Sequence, residues 1–302
     1  MTHTLDQVLE QASTVILGKT HELRLSLACV LARGHLLIED LPGVGKTTLA
    51  HTLAKVLGLE FNRIQFTSDM LPADILGTSI YENSGQFRFH PGPIFSQVVL
   101  ADEINRAMPK SQSALLEAME EGQITIEGET RPLPQPFFVL ATQNPLDQIG
   151  TYPLPESQLD RFLMRIELGY PDALAERALL QQQDRREVLH ALQANCNAET
   201  LQQWQQLASK IHLSEPLLDY IQSILLHTRQ HPSVITGLSP RAGLALIHAA
   251  QAWALLQQRD HVIPEDIKAV LPAVAEHRLF MQHNSHDTAE KIIGELLHLP
   301  IP

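Results

Sequence analysis

The stretch Leu36-Leu-Ile-Glu-Asp-Leu-Pro-Gly-Val-Gly-Lys-Thr-Thr48 decides how the rest of the chain is read. Leu36-Leu37-Ile38 is a short apolar run of the kind that forms a buried parallel strand, and Thr47 to Leu57 behind it has helical spacing. Between them, Pro42, Gly43, Val44, Gly45, Lys46, Thr47 and Thr48 make a turn whose glycines let backbone N–H groups close around phosphate oxygens. The helix that follows points its positive end at the same anion. In that geometry the Lys46 amine reaches the β and γ phosphates and the Thr47 hydroxyl is placed to ligate Mg²⁺. The match to GxxxxGK[ST] departs at its first position, where Asp40 replaces glycine. The bland alternative is a Gly-Lys-Thr turn that merely opens a helix, and the flanking strand and helix argue against it.

Working outward, Val98-Val-Leu-Ala101 is a second strand-like run, and it ends in Asp102-Glu103. Two carboxylates at the end of a buried parallel strand call for a cation at that edge. Strand alternation separates the two side chains, so Asp102 is expected to hold Mg²⁺ through water and Glu103 to act as general base on an attacking water. A solvated acidic pair at a loop entry is the alternative. Phe137-Phe-Val-Leu140 is a third run, continuing to Thr142-Gln-Asn-Pro145, where Asn144 either offers an amide to the γ-phosphate or simply opens a turn before Pro145. Phe61 to Phe66 and Phe162 to Ile166 complete five candidate strands, with Ser111 to Glu121 as a helix between two of them. The fold class is therefore α/β, a parallel sheet covered by helices.

Length and composition agree. The chain has 302 residues, enough for about two domains, and is 44% hydrophobic, 19% charged and 5% aromatic, which excludes disorder as its main state. Lys+Arg 22 against Asp+Glu 34 leaves −12, which disfavours a function built on gripping nucleic-acid backbones. Cys29 and Cys196 lie far apart with no CxxC spacing, so no disulfide or zinc framework is expected and a reducing, cytoplasmic setting fits. The start shows no signal peptide, and no window approaches the ~18 apolar residues of a membrane span.

From Pro171 the pattern turns helical, in Ala173 to Leu189, Pro216 to Arg229, Pro240 to Gln257 and Pro264 to Phe280. Residues 1–170 read as a nucleotide-binding α/β domain and 171–302 as an all-helical lid domain. The Gln181 to Gln183 and Gln202 to Gln206 patches read as solvated helix faces. Thr78 to Gly85 with Gln86 to Phe89, around an Asn83-Ser84-Gly85 turn, reads as one hairpin, and Gln123 to Glu127 with Gly128 to Thr130 as a second. Cys29 reads as a core residue, and His90 and His231 as turn residues without ligand spacing.

These words together resemble AAA+ ATPases, specifically the MoxR family in the clade with a helix-2 insert. The resemblance spans nearly the whole chain. It is carried by Asp102-Glu-Ile-Asn-Arg-Ala107, Ser113-Ala-Leu-Leu-Glu-Ala-Met-Glu-Glu121, Ala141-Thr-Gln-Asn-Pro145, Gly150-Thr-Tyr-Pro-Leu-Pro-Glu156 and Leu159-Asp-Arg-Phe162. It implies ATP and Mg²⁺ as ligands, Asp102 and Glu103 as the Walker B pair and Asn144 as sensor 1. Arg161 would be the arginine finger offered to a neighbour, with Arg165 and Arg106 as alternatives, and Arg241 would be sensor 2 on the lid. Ile16-Leu17-Gly18 resembles the adenine-contacting segment, with Lys19 where the family usually has glutamine. A homo-oligomeric ring of six is implied, with the hairpins near its pore or on one face. So is a chaperone-like action on a protein client beside a von Willebrand A-domain partner. A nucleotide-gated regulatory or DNA-associated module and a chelatase-type motor subunit are the competing readings.

Overall fold

The computed structural model describes residues 2–82, 85–145, 150–181, 185–282 and 287–301. Two helices, α1 (Thr2–Val15) and α2 (Thr20–Leu31), precede strand β1 (Leu36–Glu39). The glycine-rich turn leads into α3 (Lys46–Val56) and β2 (Phe61–Gln65). A short α4 (Pro72–Leu76) opens the antiparallel hairpin β3 (Gly77–Tyr81) and β4 (Phe87–Pro91), ahead of β5 (Val98–Asp102) and α5 (Pro109–Glu121). A second hairpin, β6 (Gln123–Ile126) with β7 (Glu129–Pro132), precedes β8 (Phe138–Gln143), the short α6 (Glu156–Leu159) and β9 (Met164–Ile166). Both expected hairpins are present; the turn residues Asn83 and Ser84 lie outside the described residues.

The sheet runs β2-β5-β8-β1-β9, every pairing parallel. The inner strands β1, β5 and β8 are apolar along most of their length because both faces are covered, whereas the edge strand β2 alternates. Leu36, Ile38, Leu100 and Leu140 pack with α2 and α3 on one side, while Leu37, Val99, Ala101 and Val139 pack with Leu115 and Leu116 of α5 on the other. The register brings Glu39 beside Gln143 and Gln65 beside Asp102, so the strands end at one shared edge. β1 lies between β8 and β9, away from the strand that follows it in sequence, which is where open α/β sheets bind ligands.

Beyond β9 come α7 (Ala173–Gln181), α8 (Arg185–Ala191), α9 (Ala198–Ala208), α10 (Glu215–Gln230), α11 (Pro240–Leu256), α12 (Pro264–Ala275) and α13 (Ala289–Leu297). This part is not wholly helical: β10 (Val234–Thr236) pairs antiparallel with β11 (Phe280–Met281). The helix expected to run to Phe280 accordingly ends at Ala275 and passes through a 3-10 turn, Glu276–Arg278, into that strand. The expected Ala173 to Leu189 stretch is two helices, with 182–184 outside the described residues. Among the glutamines, Gln205 is buried and donates to the Val30 carbonyl at 2.8 Å, so that face of α9 packs on α2 and is not solvated. Leu27, Leu201, Leu246 and Val270, from four different helices, share one apolar core with the sheet. Among the described residues no helix is long and apolar enough to cross a membrane.

Candidate active site

Gly43 and Gly45 have φ of +86° and +101°, conformations that side-chained residues rarely adopt, and a Cβ at either would meet nothing within 4 Å. Their backbone therefore turns around open space at the N-terminus of α3, whose first residue is Lys46. The Lys46 amine donates to the carbonyls of Asp40 at 2.5 Å and Gln143 at 3.3 Å. Thr47, in the first helical turn, is exposed, and Thr48 faces the neighbouring cleft. An amide-lined turn with a lysine ammonium at a helix N-terminus fits a polyphosphate chain.

The acidic side of the site is tightly wired. Thr142, from β8, donates its hydroxyl to Asp102 Oδ1 at 2.6 Å and accepts from the Glu103 amide at 2.8 Å. One hydroxyl thus ties the Asp102 carboxylate to the backbone of Glu103. Arg63, on β2, donates to Asp102 Oδ2 from Nε at 3.0 Å and Nη2 at 2.6 Å. Glu103 sits in left-handed backbone with φ +57°, which swings its side chain out of the strand direction. There Gln65 donates to Glu103 Oε2 at 2.7 Å, and Arg106 Nε lies 3.2 Å from the same oxygen. Asn144 follows the last residue of β8, half-buried, next to the Gln143 carbonyl that Lys46 and the Asp40 amide share. Lys46, Asp102, Glu103 and Asn144 therefore meet at the carboxyl edge of the sheet. Sequence reading passed over Arg63, Gln65 and Thr142; the visible signal for Arg63 was a cation in the middle of an alternating strand.

Beside the glycine turn opens a cleft of about 270 Å³, walled by Val15, Ile16, Leu17, Val44, Leu168 and Leu179. Ile16 and Leu17 are therefore lining residues, and Gly18 turns the chain there with φ +70°. A Cβ at Gly18 would approach that of Ala175 to 2.8 Å, so the tight fit to α7 requires glycine. Lys19 donates to the Tyr170 carbonyl at 2.9 Å and helps hold the opposite wall.

The arginines divide. Arg165 is bound to Glu39 at 2.6 Å and Glu276 at 2.9 Å, and Arg106 to Glu103, so each of these two meets an acid at the loop edge of its own sheet. Arg161 and Arg241 stand elsewhere. Arg161 precedes β9, whose first residue pairs with Leu36, the first of β1, and the Leu163 amide donates to the His35 carbonyl. The four-residue strand separates that edge from the glycine turn by about 10 Å. At this far edge Glu120, in the last turn of α5, takes Arg161 Nη2 at 3.1 Å and also Arg241, whose Nη1 is 3.9 Å from Asp160. The two arginines thus share one carboxylate, on the side of the sheet opposite their own Lys46.

Other groups singled out from sequence fall away from the site. Cys29 is fully buried, and burial pushes its thiol far up, which leaves it inert. His231 meets His227 and Glu295, with ligand atoms within 4.8 Å of one another, a cluster the sequence reading missed although His227 and His231 are four apart. The Ser233 amide donates to His231 Nδ1, which leaves the proton on Nε2 facing Glu295 and disfavours metal ligation there.

Residues 35–164 match the family described as "ATPase family associated with various cellular activities (AAA)", and residues 226–296 match the AAA lid domain. Among relatives, the uncharacterised Bacillus subtilis protein YeaC is 46% identical over 97% of this chain and 93% of its own. The chaperone MoxR1 of Mycobacterium tuberculosis is 40% identical over 98% and 80%, and the protein MoxR of Paracoccus denitrificans 31% identical over 95% and 93%. The crystal structure of a presumed ATPase from Cytophaga hutchinsonii superposes with a TM-score of 0.91 at 36% identity, covering 100% of this chain and 96% of that one. Likeness of that extent, falling on a glycine turn and paired carboxylates at the switch point of a five-stranded sheet, makes this chain a member of the MoxR family of AAA+ ATPases.

Proposed function

We propose that the chain hydrolyses Mg²⁺-ATP at the interfaces of a homo-oligomeric ring, with six members, and uses the cycle to remodel or mature a client protein. The observation that carries the reading is the placement of Lys46, Asp102 and Glu103 at one edge of the sheet and of Arg161 and Arg241 at the other. An arginine that cannot reach its own phosphates serves catalysis only by reaching a neighbour's, and a head-to-tail ring supplies that neighbour at every interface. We place the division between the ATP-binding and lid parts at residues 170 and 171, just after the last strand of the sheet.

In this reading the amides of residues 43–48 and Lys46 hold the phosphates, and Ile16, Leu17 and Gly18 border the base. Thr47 and, through water, Asp102 would hold Mg²⁺, which supplies charge neutralisation at the phosphates. Glu103 takes the proton of the attacking water, and Asn144 orients that water. Arg161 and Arg241 of one protomer stabilise the charge that spreads over the equatorial oxygens in the neighbour's site. The chaperone role follows the relative named a chaperone, and the von Willebrand A-domain partner follows the family resemblance. A cytoplasmic setting accords with two thiols far apart in sequence. The net charge of −12 works against the DNA-associated alternative.

The test is Glu103→Gln. It should bind ATP as wild type does while turnover falls by about 10²–10⁴-fold, the usual share of a general base, whereas Lys46→Ala should weaken ATP binding itself. Wild-type turnover in the Glu103 variant would remove Glu103 from the role given to it.

A further inference from the structure

Asp40 stands where the phosphate-loop pattern has glycine, and its carboxylate joins the loop to the chain that follows β9. Oδ1 accepts from the neighbouring Leu41 amide at 2.7 Å. Oδ2 accepts from the amides of both Leu168 and Gly169, each at 2.6 Å. Asp40 is buried, and its own amide is fixed to the Gln143 carbonyl at 3.1 Å. The two amides it holds belong to the chain leaving β9, and residues 168–171 form a wall of the cleft beside Gly43 and Gly45. Lys19 pins the same strap from the other side, through the Tyr170 carbonyl. One carboxylate therefore ties the first residue of the phosphate loop to the wall against which a base would lie. An anion placed so close to a polyphosphate site is a liability unless its charge is occupied elsewhere, and three backbone N–H groups occupy it here.

We propose that Asp40 is a positioning residue for the nucleoside half of the ligand: it sets the 168–171 wall and thereby the affinity for the base, with no part in holding the phosphates. The proposal rests on the reading of this cleft as the nucleotide site. An asparagine has one acceptor oxygen, so it keeps the Leu41 bond or the bonds from Leu168 and Gly169, and turns an N–H toward the other amides. A glycine restores the motif residue and removes the tie altogether.

The two halves of the ligand separate the possibilities. Calorimetric titration of wild type, Asp40→Asn and Asp40→Gly with ATP and with inorganic triphosphate, both with Mg²⁺, reads the base and the phosphates independently. ATP affinity should fall about tenfold in both variants, in keeping with loss of hydrogen bonds to a charged group. Triphosphate affinity should be unchanged or tighter, because a nearby negative charge has gone. General damage to the loop or the fold would weaken both ligands together, and that result overturns the proposal. Unchanged ATP affinity in either variant, when it still binds triphosphate, overturns it as well. If wild type binds neither ligand, the nucleotide-site reading itself fails, and this proposal with it.

Discussion

If Arg161 acts only across an interface, two dead proteins should make a live one. Arg161→Ala keeps an intact Lys46 site but offers its neighbour nothing, and Lys46→Ala keeps the finger but holds no phosphate. Each alone should lose nearly all turnover, because such a finger is worth about 10³–10⁵ in rate. Mixed one to one and assembled at random, a productive interface needs an Arg161→Ala protomer on the phosphate side and a Lys46→Ala protomer on the finger side. Whatever the ring size, that occurs at about a quarter of interfaces, so the mixture should recover about a quarter of wild-type turnover. The ground for expecting recovery is the place of Arg161, bound to Glu120 at the opposite edge of the sheet, about 10 Å of strand from its own loop. The assay is phosphate release against mixing ratio, with co-assembly verified by size-exclusion chromatography of differently tagged protomers. A co-assembled mixture no more active than its components would refute the argument. So would an Arg161→Ala protein that hydrolyses ATP normally by itself.

Two further outcomes concern the frame that carries these groups. His35 is buried, its Nδ1 accepting from the Val139 amide and its Nε2 meeting the Met119 carbonyl, and burial pulls its pKa down to about 4. The unfolded chain takes a proton near pH 6.5 that the folded chain refuses, so this stabilisation is complete above that pH and is lost as pH falls toward 4. Between pH 7 and 5 His35 should cost about 2 kcal/mol, read by urea unfolding, and His35→Gln should lose that much less over the same interval; identical pH dependence in the two proteins would contradict it. Arg278 places all five of its N–H groups, on the Asp160 carboxylate and the carbonyls of Asp160, Phe162, Leu163 and Val274. Lysine offers three donors without the fork, so Arg278→Lys should cost about 2–4 kcal/mol by denaturant unfolding, and a change below about 0.5 kcal/mol would show that the carbonyls find other partners.

The parallel sheet, its α3 and α5 helices and both hairpins were legible because each rests on a local rule: apolar runs buried on two faces, glycine in a tight turn, alternation around a turn. Lys46, Asp102, Glu103 and Asn144 could be grouped because strand ends in a parallel sheet share an edge. The partners of those residues were not legible. Thr142 reads as an ordinary strand residue until the register sets β8 beside β5 and brings its hydroxyl to the Asp102 carboxylate and the Glu103 amide. Asp40 looked like a defect in a glycine pattern; it became intelligible only with residues 168 and 169, far along the chain, folded against it. The early end of α12 was hidden for the same reason, since nothing local announces that Phe280 will pair with Thr236.

In the proposed ring, an arginine that serves a neighbour would not be held by its own nucleotide, so its fixity would have to come from the protein. The residues around Arg161 meet that demand. Asp160 before it and Phe162 and Leu163 after it are bound by one guanidinium, Arg278, while His277 reaches the Phe162 carbonyl at 3.1 Å. These two residues come from the turn that ends α12, and the residue before them, Glu276, holds Arg165. Arg165 in turn holds Glu39, the last residue of the strand that runs into the phosphate loop. The same three-residue corner, Glu276–Arg278, therefore reaches the root of the loop through Arg165 and holds the segment carrying Arg161 directly. Charge-assisted, fork-like bonds are the stronger ones in a protein, so this corner fixes the Arg161 segment against the end of α12.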